Sequence, residues 1–309
     1  MKYLLISFLI ILITIISGCI GETSIPMTST KDGVVITDFS FEHSPVYAND
    51  NVGLSLEIQN VGGNKAELKK IQIYGVDFTA SKSTDREWGV KGDELQELNE
   101  GFIKTNLPSK GELFQPDPDI NLEGAKDYYE WRLQAPSGVT SETNYDFQVR
   151  VEYAYNTTYS GTIRIIDDTY LQSLKEEEKQ ELFNTGGIAS SKLTNGPISI
   201  TPYSGRHFIV DVPNPESRPM KFKIENVGSG FPYINESTKY YIKITDIAGI
   251  YCPEEEIKLS SGKSYTIDCL FSPPGTNDFT NKIDKPFQIT FNYNYYIDGS
   301  TSITVKPVY

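Results

Sequence analysis

The sequence predicts an all-β protein made of two tandem β-sandwich domains. Along most of the chain, short stretches alternate between apolar and polar residues and are separated by Gly, Pro and Asn, which is the pattern of half-buried strands. The 309 residues include 20 Tyr and 15 Phe, residue types that favour pleated surfaces. No alternation of strand and helix is visible, which argues against a parallel sheet. Several segments also occur twice, which predicts two domains of one fold.

The first repeated segment is a strand that runs into a tight turn. Residues 54–63 read LSLEIQNVGG and residues 220–230 read MKFKIENVGSG, so that Asn60 matches Asn226. Asn hydrogen-bonds within its own turn, and the Gly that follows accepts positive φ. Each copy is therefore expected to contain this strand and turn.

The second repeated segment is longer and keeps its spacing. Residues 122–136 resemble residues 259–274, with 12 residues from Gly124 to Pro136 and 12 from Gly262 to Pro274, and FQVRVEYAY at residues 147–155 matches FQITFNYNY at residues 287–295. All four stretches alternate apolar and polar residues. We therefore expect each copy to end on a hairpin.

The repeats define the expected domain boundaries. We expect one sandwich at residues 33–167, with an insertion at residues 79–112 that the second copy lacks, and another sandwich at residues 195–309. In residues 168–194, leucines recur at helical spacing after a capping Asp or Thr and before Asn and Gly. This segment is expected to form a single linker helix of about four turns.

The N-terminus has the features of an export signal. Residues 1–18 contain one charge, Lys2, followed by a near-continuous apolar run that ends in small residues. The run is shorter than the roughly 20 residues that a membrane-spanning helix needs. We expect residues 1–18 to be a signal peptide and residues 19–32, which are small, polar and Pro-containing, to be a tether.

The residues around the first cysteine indicate a lipid anchor. Ile-Ser-Gly-Cys at residues 16–19 resembles the lipobox of bacterial and archaeal lipoproteins, in which the cysteine thiol takes a thioether-linked lipid. This resemblance implies that Cys19 is lipidated and that the body is exported and anchored to the outer face of the cell membrane. An uncleaved anchor helix is the alternative, and it places the body on the same side.

The strand and turn found in both copies carry a second resemblance. The pattern L-x-I-x-N-x-G of the first copy resembles the immunoglobulin-like modules of prokaryotic surface proteins, including the cell-adhesion-related domain family. This resemblance implies tandem immunoglobulin-like sandwiches in a prokaryotic, archaeal-type surface lipoprotein. It brings no catalytic residues with it.

Charge and cysteine content narrow the partners and the compartment. A net charge of −13 makes nucleic acid and anionic lipid headgroups poor partners. Apart from Cys19, the cysteines are Cys252 and Cys269, and such a pair in an exported body predicts a disulfide that contributes about 3 kcal/mol. Alignment of the copies places Trp131 over Cys269 and Phe114 over Cys252, so the first copy is expected to hold an aromatic pair there.

No residue pattern for catalysis emerges. The two histidines, His43 and His207, have no neighbouring metal-type ligands, and no nucleophile elbow or phosphate loop is present. We therefore expect no enzymatic activity and no cofactor. Asp117, Asp119 and Asn121 have the 1-3-5 spacing of a calcium loop but lack its Gly and closing Glu, so they are a candidate for weak calcium binding, with a plain polar loop as the alternative.

Four tyrosines raise the question of a sugar-binding platform. Tyr153 and Tyr155 match Tyr293 and Tyr295 on one strand face of each copy. Because they repeat in the same register, core packing or cross-strand pairing is favoured over a platform.

Two glycosylation sequons are present. Asn156 in NTT and Asn235 in NES have the required pattern, and both are expected in loops.

The expected function is binding without catalysis. The insertion at residues 79–112 is the largest difference between the copies, and inserted loops on rigid sandwiches often carry binding residues. Arg86, Trp88 and Phe102 are the expected contacts, because Arg and aromatic residues are favoured at interfaces. We expect a membrane-tethered surface protein that binds or scaffolds another envelope or extracellular component, an unknown protein or glycan. The alternative is a solute- or glycan-binding lipoprotein that serves a transporter or enzyme.

Overall fold

The computed structural model describes residues 31–80, 82–90, 112–113, 124–184, 187–203, 208–210, 216–273 and 281–308. These residues form strands and two short helices, which confirms the all-β class. In chain order the elements are β1 (Val34–Phe41), β2 (Val46–Tyr47), β3 (Asn51–Asn60), β4 (Ala66–Tyr74), β5 (Phe78–Ala80), β6 (Trp88–Val90), β7 (Glu112–Leu113), β8 (Lys126–Gln134), β9 (Thr143–Asp167), α1 (Asp168–Ser173), α2 (Glu176–Asn184), β10 (Ile188–Leu193), β11 (Ile198–Tyr203), β12 (Phe208–Val210), β13 (Arg218–Asn226), β14 (Phe231–Tyr233), β15 (Tyr241–Ala248), β16 (Glu256–Lys258), β17 (Ser264–Phe271) and β18 (Lys282–Lys306).

The longest strands are β9 and β18, which contain 25 residues each and pair antiparallel with each other. Their ladder runs from Thr143 opposite Val305 to Ile166 opposite Lys282. Buried side chains alternate with more accessible ones along most of both strands. Because successive residues of a strand point to opposite faces, one face of this ladder is covered and the other is open.

Three sheets are present in the described residues. The large sheet has the order β16-β15-β18-β9-β4-β7, while β10 and β12 also pair with β9, and β2 and β14 with β18. A five-stranded sheet has the order β1-β3-β8-β6-β5, and a three-stranded sheet the order β11-β13-β17. Both smaller sheets cover the same face of the large one. Phe41 of β1 packs on Phe147 at 4.9 Å between ring centroids, and Phe222 of β13 packs on Tyr159 at 6.1 Å.

The repeated segments occupy equivalent places in the smaller sheets. Leu54 lies opposite Trp131 in the five-stranded sheet, and Met220 lies opposite Cys269 in the three-stranded sheet. These are the residues that alignment of the two copies matches. The strand register therefore repeats together with the sequence.

The two copies share the long strands. The C-terminal half of β18 pairs with the N-terminal half of β9 and, at Val305, with Val46 of β2, so it completes the layers of the first copy. The C-terminal half of β9 pairs with β10 and packs on the second copy. Residues 31–309 form one compact unit.

The segment after β9 forms two short helices and a strand. Asp167 caps α1 by accepting a hydrogen bond from the backbone N–H of Tyr170 at 3.1 Å. At Leu174 the backbone is extended, which ends α1 before α2 begins. The remainder of the segment is β10, which pairs with β9. The single helix expected over residues 168–194 is therefore wrong, because part of this segment completes the large sheet.

Cys252 and Cys269 form the predicted disulfide, and both residues are buried. In the first copy, Trp131 takes the place of Cys269 and is 2% exposed. Its ring stacks on Tyr129 with 6.2 Å between centroids. The indole ring of Trp131 thus occupies the position in the first copy that corresponds to the sulfur of Cys269 in the second copy. Phe114 lies outside the described residues.

The four tyrosines fill the centre of the covered face. Tyr153 contacts Tyr295 at 5.7 Å and Tyr155 contacts Tyr293 at 6.2 Å between ring centroids. All four rings are buried, which confirms the packing interpretation. Burial raises the pKa of Tyr155 to about 12 and raises the pKa values of the other three as well. These hydroxyls therefore stay protonated at physiological pH.

Candidate binding face

The outer face of the β9–β18 ladder consists of the side chains that point away from both smaller sheets. They are the even-numbered residues of both strands, since the odd-numbered ones supply most of the core. We call this surface the outer face. Its cross-strand pairs are Arg150–Asp298, Glu152–Tyr296, Ala154–Asn294, Asn156–Asn292, Thr158–Thr290, Ser160–Gln288 and Arg164–Asp284.

The two copies of the repeat agree at most covered positions and differ at most outer positions, although the outer residues Gln148 and Gln288 are identical. Covered positions match Phe147 with Phe287, Tyr153 with Tyr293, and Tyr155 with Tyr295. Outer positions match Arg150 with Thr290, Glu152 with Asn292, Ala154 with Asn294, and Asn156 with Tyr296. Core packing accounts for the shared residues. The outer face is therefore where the copies have acquired different chemistry.

Arg150 is held rigidly near one end of the outer face. Its guanidinium donates two hydrogen bonds to the carboxylate of Asp298, at 2.7 and 2.9 Å. The same group lies 4.1 Å from the ring centroid of Tyr296 and 5.9 Å from that of Tyr74. The hydrogen bonds to Asp298 raise the pKa of Arg150 above its usual value. The pair is therefore a fixed, fully charged feature of the surface.

Four aromatic residues gather beside Arg150, and we call them the aromatic patch: Phe231, Tyr233, Tyr240 and Tyr296. Phe231 lies 5.6 Å from the ring centroids of both Tyr240 and Tyr296. Tyr233 donates a hydrogen bond to Glu152 at 2.6 Å, and burial together with this carboxylate raises the pKa of Tyr233. Phe231 remains 38% exposed. The patch is thus an ordered apolar surface next to charged groups.

A groove of about 480 Å³ lies in the middle of the outer face. Strands β9 and β18 form its floor, with the start of β4 on one side and β15 on the other, as the sheet order requires. We call it the amide groove, because three asparagines line it. Its polar lining includes Lys65, Glu67, Asn156, Lys243, Asn292 and Asn294.

Hydrogen bonds orient two of the three amides. Oδ1 of Asn156 accepts a hydrogen bond from Nδ2 of Asn64 at 2.6 Å, and Nδ2 of Asn294 donates to the carbonyl of Ile234 at 2.8 Å. Asn292 is exposed, and its side chain has no hydrogen-bond partner within the described part of the chain. The groove therefore presents both amide donors and amide acceptors to a ligand.

Charged side chains of both signs line the amide groove. Lys65 and Lys243 lie on opposite sides of it. Glu67, a carboxylate in the lining, pairs with Lys69 at 2.6 Å. On the other side, Glu256 of β16 lies opposite Lys243, so charges of both signs border the groove.

The expected contacts in the insertion do not form one site. Arg86 is exposed, but Trp88 is 0% exposed and belongs to β6 in the five-stranded sheet. Its ring packs on Phe147 at 5.1 Å and on Tyr145 at 5.5 Å between centroids. The expectation that Trp88 is a surface anchor is therefore wrong, because β6 places it in the core. Phe102 lies outside the described residues.

The sequons lie in different surroundings. Asn156 was expected in a loop but lies in the middle of β9, opposite Asn292, and Thr157 of its sequon is buried. The loop expectation fails there because β9 continues through the sequon. Asn235 lies in an exposed turn, where its Oδ1 accepts a hydrogen bond from the N–H of Ser237 at 3.0 Å. Cys19 lies outside the described residues, and so do the calcium candidates Asp117, Asp119 and Asn121.

The part of the chain that the structure describes contains no group of three or more His, Cys, Asp or Glu that could hold a metal ion. Within the same ranges, no helix has the length and apolar character needed to cross a membrane. His43 is exposed, and His207 lies outside the described residues.

Sequence reasoning did not identify the amide groove. A signal was present, since the alternate positions at which the copies differ are the ones that line the outer face. The sequence does not show, however, that β9 pairs with β18, and only this pairing brings Asn156 next to Asn292.

Comparisons with known proteins leave the family open. No family model matches the chain, and no curated protein matches it. Among solved structures, the crystal structure of a protein of unknown function from Porphyromonas gingivalis W83 is 12% identical over 78% of this chain and 84% of that chain, with a TM-score of 0.15. A likeness of this size shows neither fold nor function. What the protein does must therefore be inferred from its own surface.

Proposed function

We propose that the protein is a non-catalytic, membrane-tethered surface protein that binds another component of the envelope or the extracellular space through its outer face. The observation that carries this proposal is the contrast between the two faces of the β9–β18 ladder. The copies share most of their core residues and differ at most outer positions, and a groove and an aromatic patch lie close together on the outer face. Surface chemistry that departs from an internal copy is expected where binding has been acquired.

We propose that each copy is an immunoglobulin-like module. The resemblance of the strand and turn supports this, as does the packing of a smaller sheet on the large sheet in each copy. In this view the two modules exchange halves of their long strands. The N-terminal half of β9 and the C-terminal half of β18 belong to the core of the first module, and the other two halves belong to the core of the second.

The proposal includes a lipid on Cys19, supported by the Ile-Ser-Gly-Cys step. Where the described body begins, Asp32 accepts hydrogen bonds from the N–H and hydroxyl of Ser229 at 2.8 and 3.3 Å. Asp32 lies near the hydroxyl of Tyr295, on the covered side of the ladder.

The chemistry of the described surface supports binding over catalysis. The raised pKa values belong mainly to tyrosines in packed surroundings and to the ion-paired Arg150. In the amide groove, the carboxylate of Glu67 is neutralised by Lys69. Amides and lysines are groups that bind ligands through hydrogen bonds.

The alternative function, a solute- or glycan-binding lipoprotein serving a transporter or enzyme, is favoured by one observation. The amide groove, at about 480 Å³, falls within the range of roughly 300–1,000 Å³ that is typical of small-molecule sites.

Site-specific crosslinking on intact cells tests the proposed function. A photoreactive residue replaces Asn292 on the outer face in one variant and Tyr128, which is 56% exposed on the five-stranded sheet, in the control. A third variant carries it at Arg86, which lies within the insertion. We expect one specific crosslinked species from the Asn292 variant alone. Capture from Arg86 but not from Asn292 would move the binding site to the insertion and overturn the proposal.

A further inference from the structure

We propose that Asn235 carries an N-linked glycan and that Asn156 does not. Both residues begin a sequon, NES at Asn235 and NTT at Asn156, and the sequence pattern does not separate them. The transfer of a sugar needs the amide of the asparagine and the hydroxyl two residues later on an accessible surface segment. This inference goes beyond the proposed function and shares with it the export of the body.

The turn at Asn235 leaves its whole sequon accessible. Asn235, Glu236 and Ser237 are all exposed. The turn is closed by its own contacts, because the N–H of Thr238 donates to the carbonyl of Asn235 at 2.9 Å and the N–H of Asn235 donates to the hydroxyl of Thr238 at 2.8 Å. An enzyme can therefore reach this sequon without separating two strands.

The side chain of Asn235 is oriented for the transfer. Its Oδ1 accepts a hydrogen bond from the N–H of Ser237 at 3.0 Å, which forms an Asx turn. This bond fixes the plane of the amide beside the residue that supplies the hydroxyl. Within the described part of the chain, Nδ2 of Asn235 and Oγ of Ser237 have no hydrogen-bond partner, so both groups are available to the enzyme.

The sheet blocks the sequon at Asn156. Its backbone lies in β9 and pairs with β18 throughout. The hydroxyl of Thr158 forms a hydrogen bond of 3.1 Å with that of Thr290, and the N–H of Thr158 donates to the hydroxyl of Thr194 at 2.9 Å. Oδ1 of Asn156 accepts a hydrogen bond from Asn64 at 2.6 Å. An enzyme would have to open the ladder to engage the same two groups here.

The transfer joins Nδ2 of Asn235 to the anomeric carbon of a sugar. The donor is an oligosaccharide activated by a lipid phosphate, supplied by the cell membrane. As the C–N bond forms, the anomeric C–O bond breaks and the lipid phosphate leaves with its electron pair. One amide proton passes to a base of the transferring enzyme. The product is a neutral amide that carries a bulky, hydrated group on the surface.

The proposed glycan borders the outer face. Ile234, which precedes Asn235, lines the amide groove, and its carbonyl accepts the hydrogen bond from Asn294 at 2.8 Å. Tyr233, one residue earlier, belongs to the aromatic patch. A partner that binds the outer face therefore approaches beside this sugar.

Peptide mass spectrometry of the protein purified from its own cells tests this inference. Trypsin releases the two sequons on separate peptides, residues 224–239 and residues 151–164. We expect a sugar mass on the first peptide, assigned to Asn235 by fragmentation, and no sugar on the second.

Four variants test the chemistry of the site. Asn235→Gln removes the acceptor amide and Ser237→Ala removes the hydroxyl, so each should abolish the modification. Ser237→Thr keeps a hydroxyl and should retain it. Asn156→Gln is the matched control and should leave the sugar on Asn235 unchanged. Unfolding curves check that all variants fold.

An Asn235 that is found only unmodified, a sugar on Asn156, or a sugar that survives Asn235→Gln would overturn the assignment. The crosslinking experiment separates this failure from failure of the proposed function. Capture at Asn292 by a protein with unmodified Asn235 would leave the outer face as the binding surface and reject only the glycan.

Discussion

Tyr155 and Tyr295 hold the turns of the two copies in the same way. The hydroxyl of Tyr155 accepts a hydrogen bond from the backbone N–H of Asn64 at 2.9 Å, and that of Tyr295 accepts one from Gly230 at 3.0 Å. Each turn follows the Asn-Val-Gly step of its copy. The duplicated tyrosines therefore connect the duplicated turns to the ladder, which explains why both occur in the same register.

Removing the hydroxyl of Tyr295 should loosen the second turn. The hydroxyl also donates a hydrogen bond to Oδ1 of Asn226 at 2.8 Å, so Tyr295→Phe leaves polar groups without their partner. We expect a loss of about 1–3 kcal/mol in the free energy of unfolding, measured by urea titration. The control is Tyr128→Phe at an exposed position, where no change is expected. Equal stabilities of the two variants would contradict the role of the turn contact.

Alkaline pH should destabilise the fold. The pKa of Tyr155 is raised to about 12, chiefly by burial, whereas an unfolded tyrosine titrates near pH 10. Between these values the unfolded state loses its proton first, so stability is constant below about pH 10 and falls as the pH rises towards 12. Urea titrations from pH 8 to 11.5 measure this slope. Tyr155→Phe should flatten it, and an unchanged slope would refute the assignment.

Loss of the disulfide should destabilise the protein by about 3 kcal/mol. Cys252 and Cys269 are 17 residues apart, a loop for which the chain-entropy model gives a value of this order. The double variant Cys252→Ala/Cys269→Ala tests this in guanidinium titrations. Cys19→Ala is the matched cysteine control and should not change the stability of the body. Full stability of the double variant would show that the bridge is dispensable.

Truncation of Trp131 should cost about 3–5 kcal/mol of stability, because the side chain is 2% exposed and stacks on Tyr129. Tyr128→Ala, at the neighbouring exposed position, is the control and should cost far less. Thermal unfolding followed by near-UV circular dichroism reports both. Similar losses in the two variants would mean that Trp131 is not a core residue.

Trp88 and Arg86 should respond in opposite ways to truncation. Trp88→Ala removes a buried ring from β6 and should cost about 3–5 kcal/mol, whereas Arg86→Ala at an exposed position should change stability by less than about 0.5 kcal/mol. Denaturant titration measures both. Unchanged stability of the Trp88→Ala variant would contradict the burial of this side chain. Any loop replacement in residues 79–112 should keep β6 for the same reason.

The sequence alone determined the strand class, the duplication, the disulfide and the packing of the four tyrosines. These depend on patterns that are short in sequence. Alternation of apolar and polar residues sets which side of a strand is buried, and the repeated Asn-Val-Gly steps mark equivalent turns. Apart from Cys19, the chain contains Cys252 and Cys269, so each has the other as its available partner.

Only the tertiary structure decided how the copies are joined and which residues meet at the surface. The pairing of β9 with β18 connects residues as distant as Arg150 and Asp298, and no local pattern encodes such a contact. The same long-range pairing carries β9 through the Asn156 sequon and forms the amide groove. The burial of Trp88 also depends on long-range pairing, because β6 is part of a sheet that it forms with β5 and β8. Whether a strand residue is buried depends on the strands and side chains that cover it, and these come from distant parts of the chain.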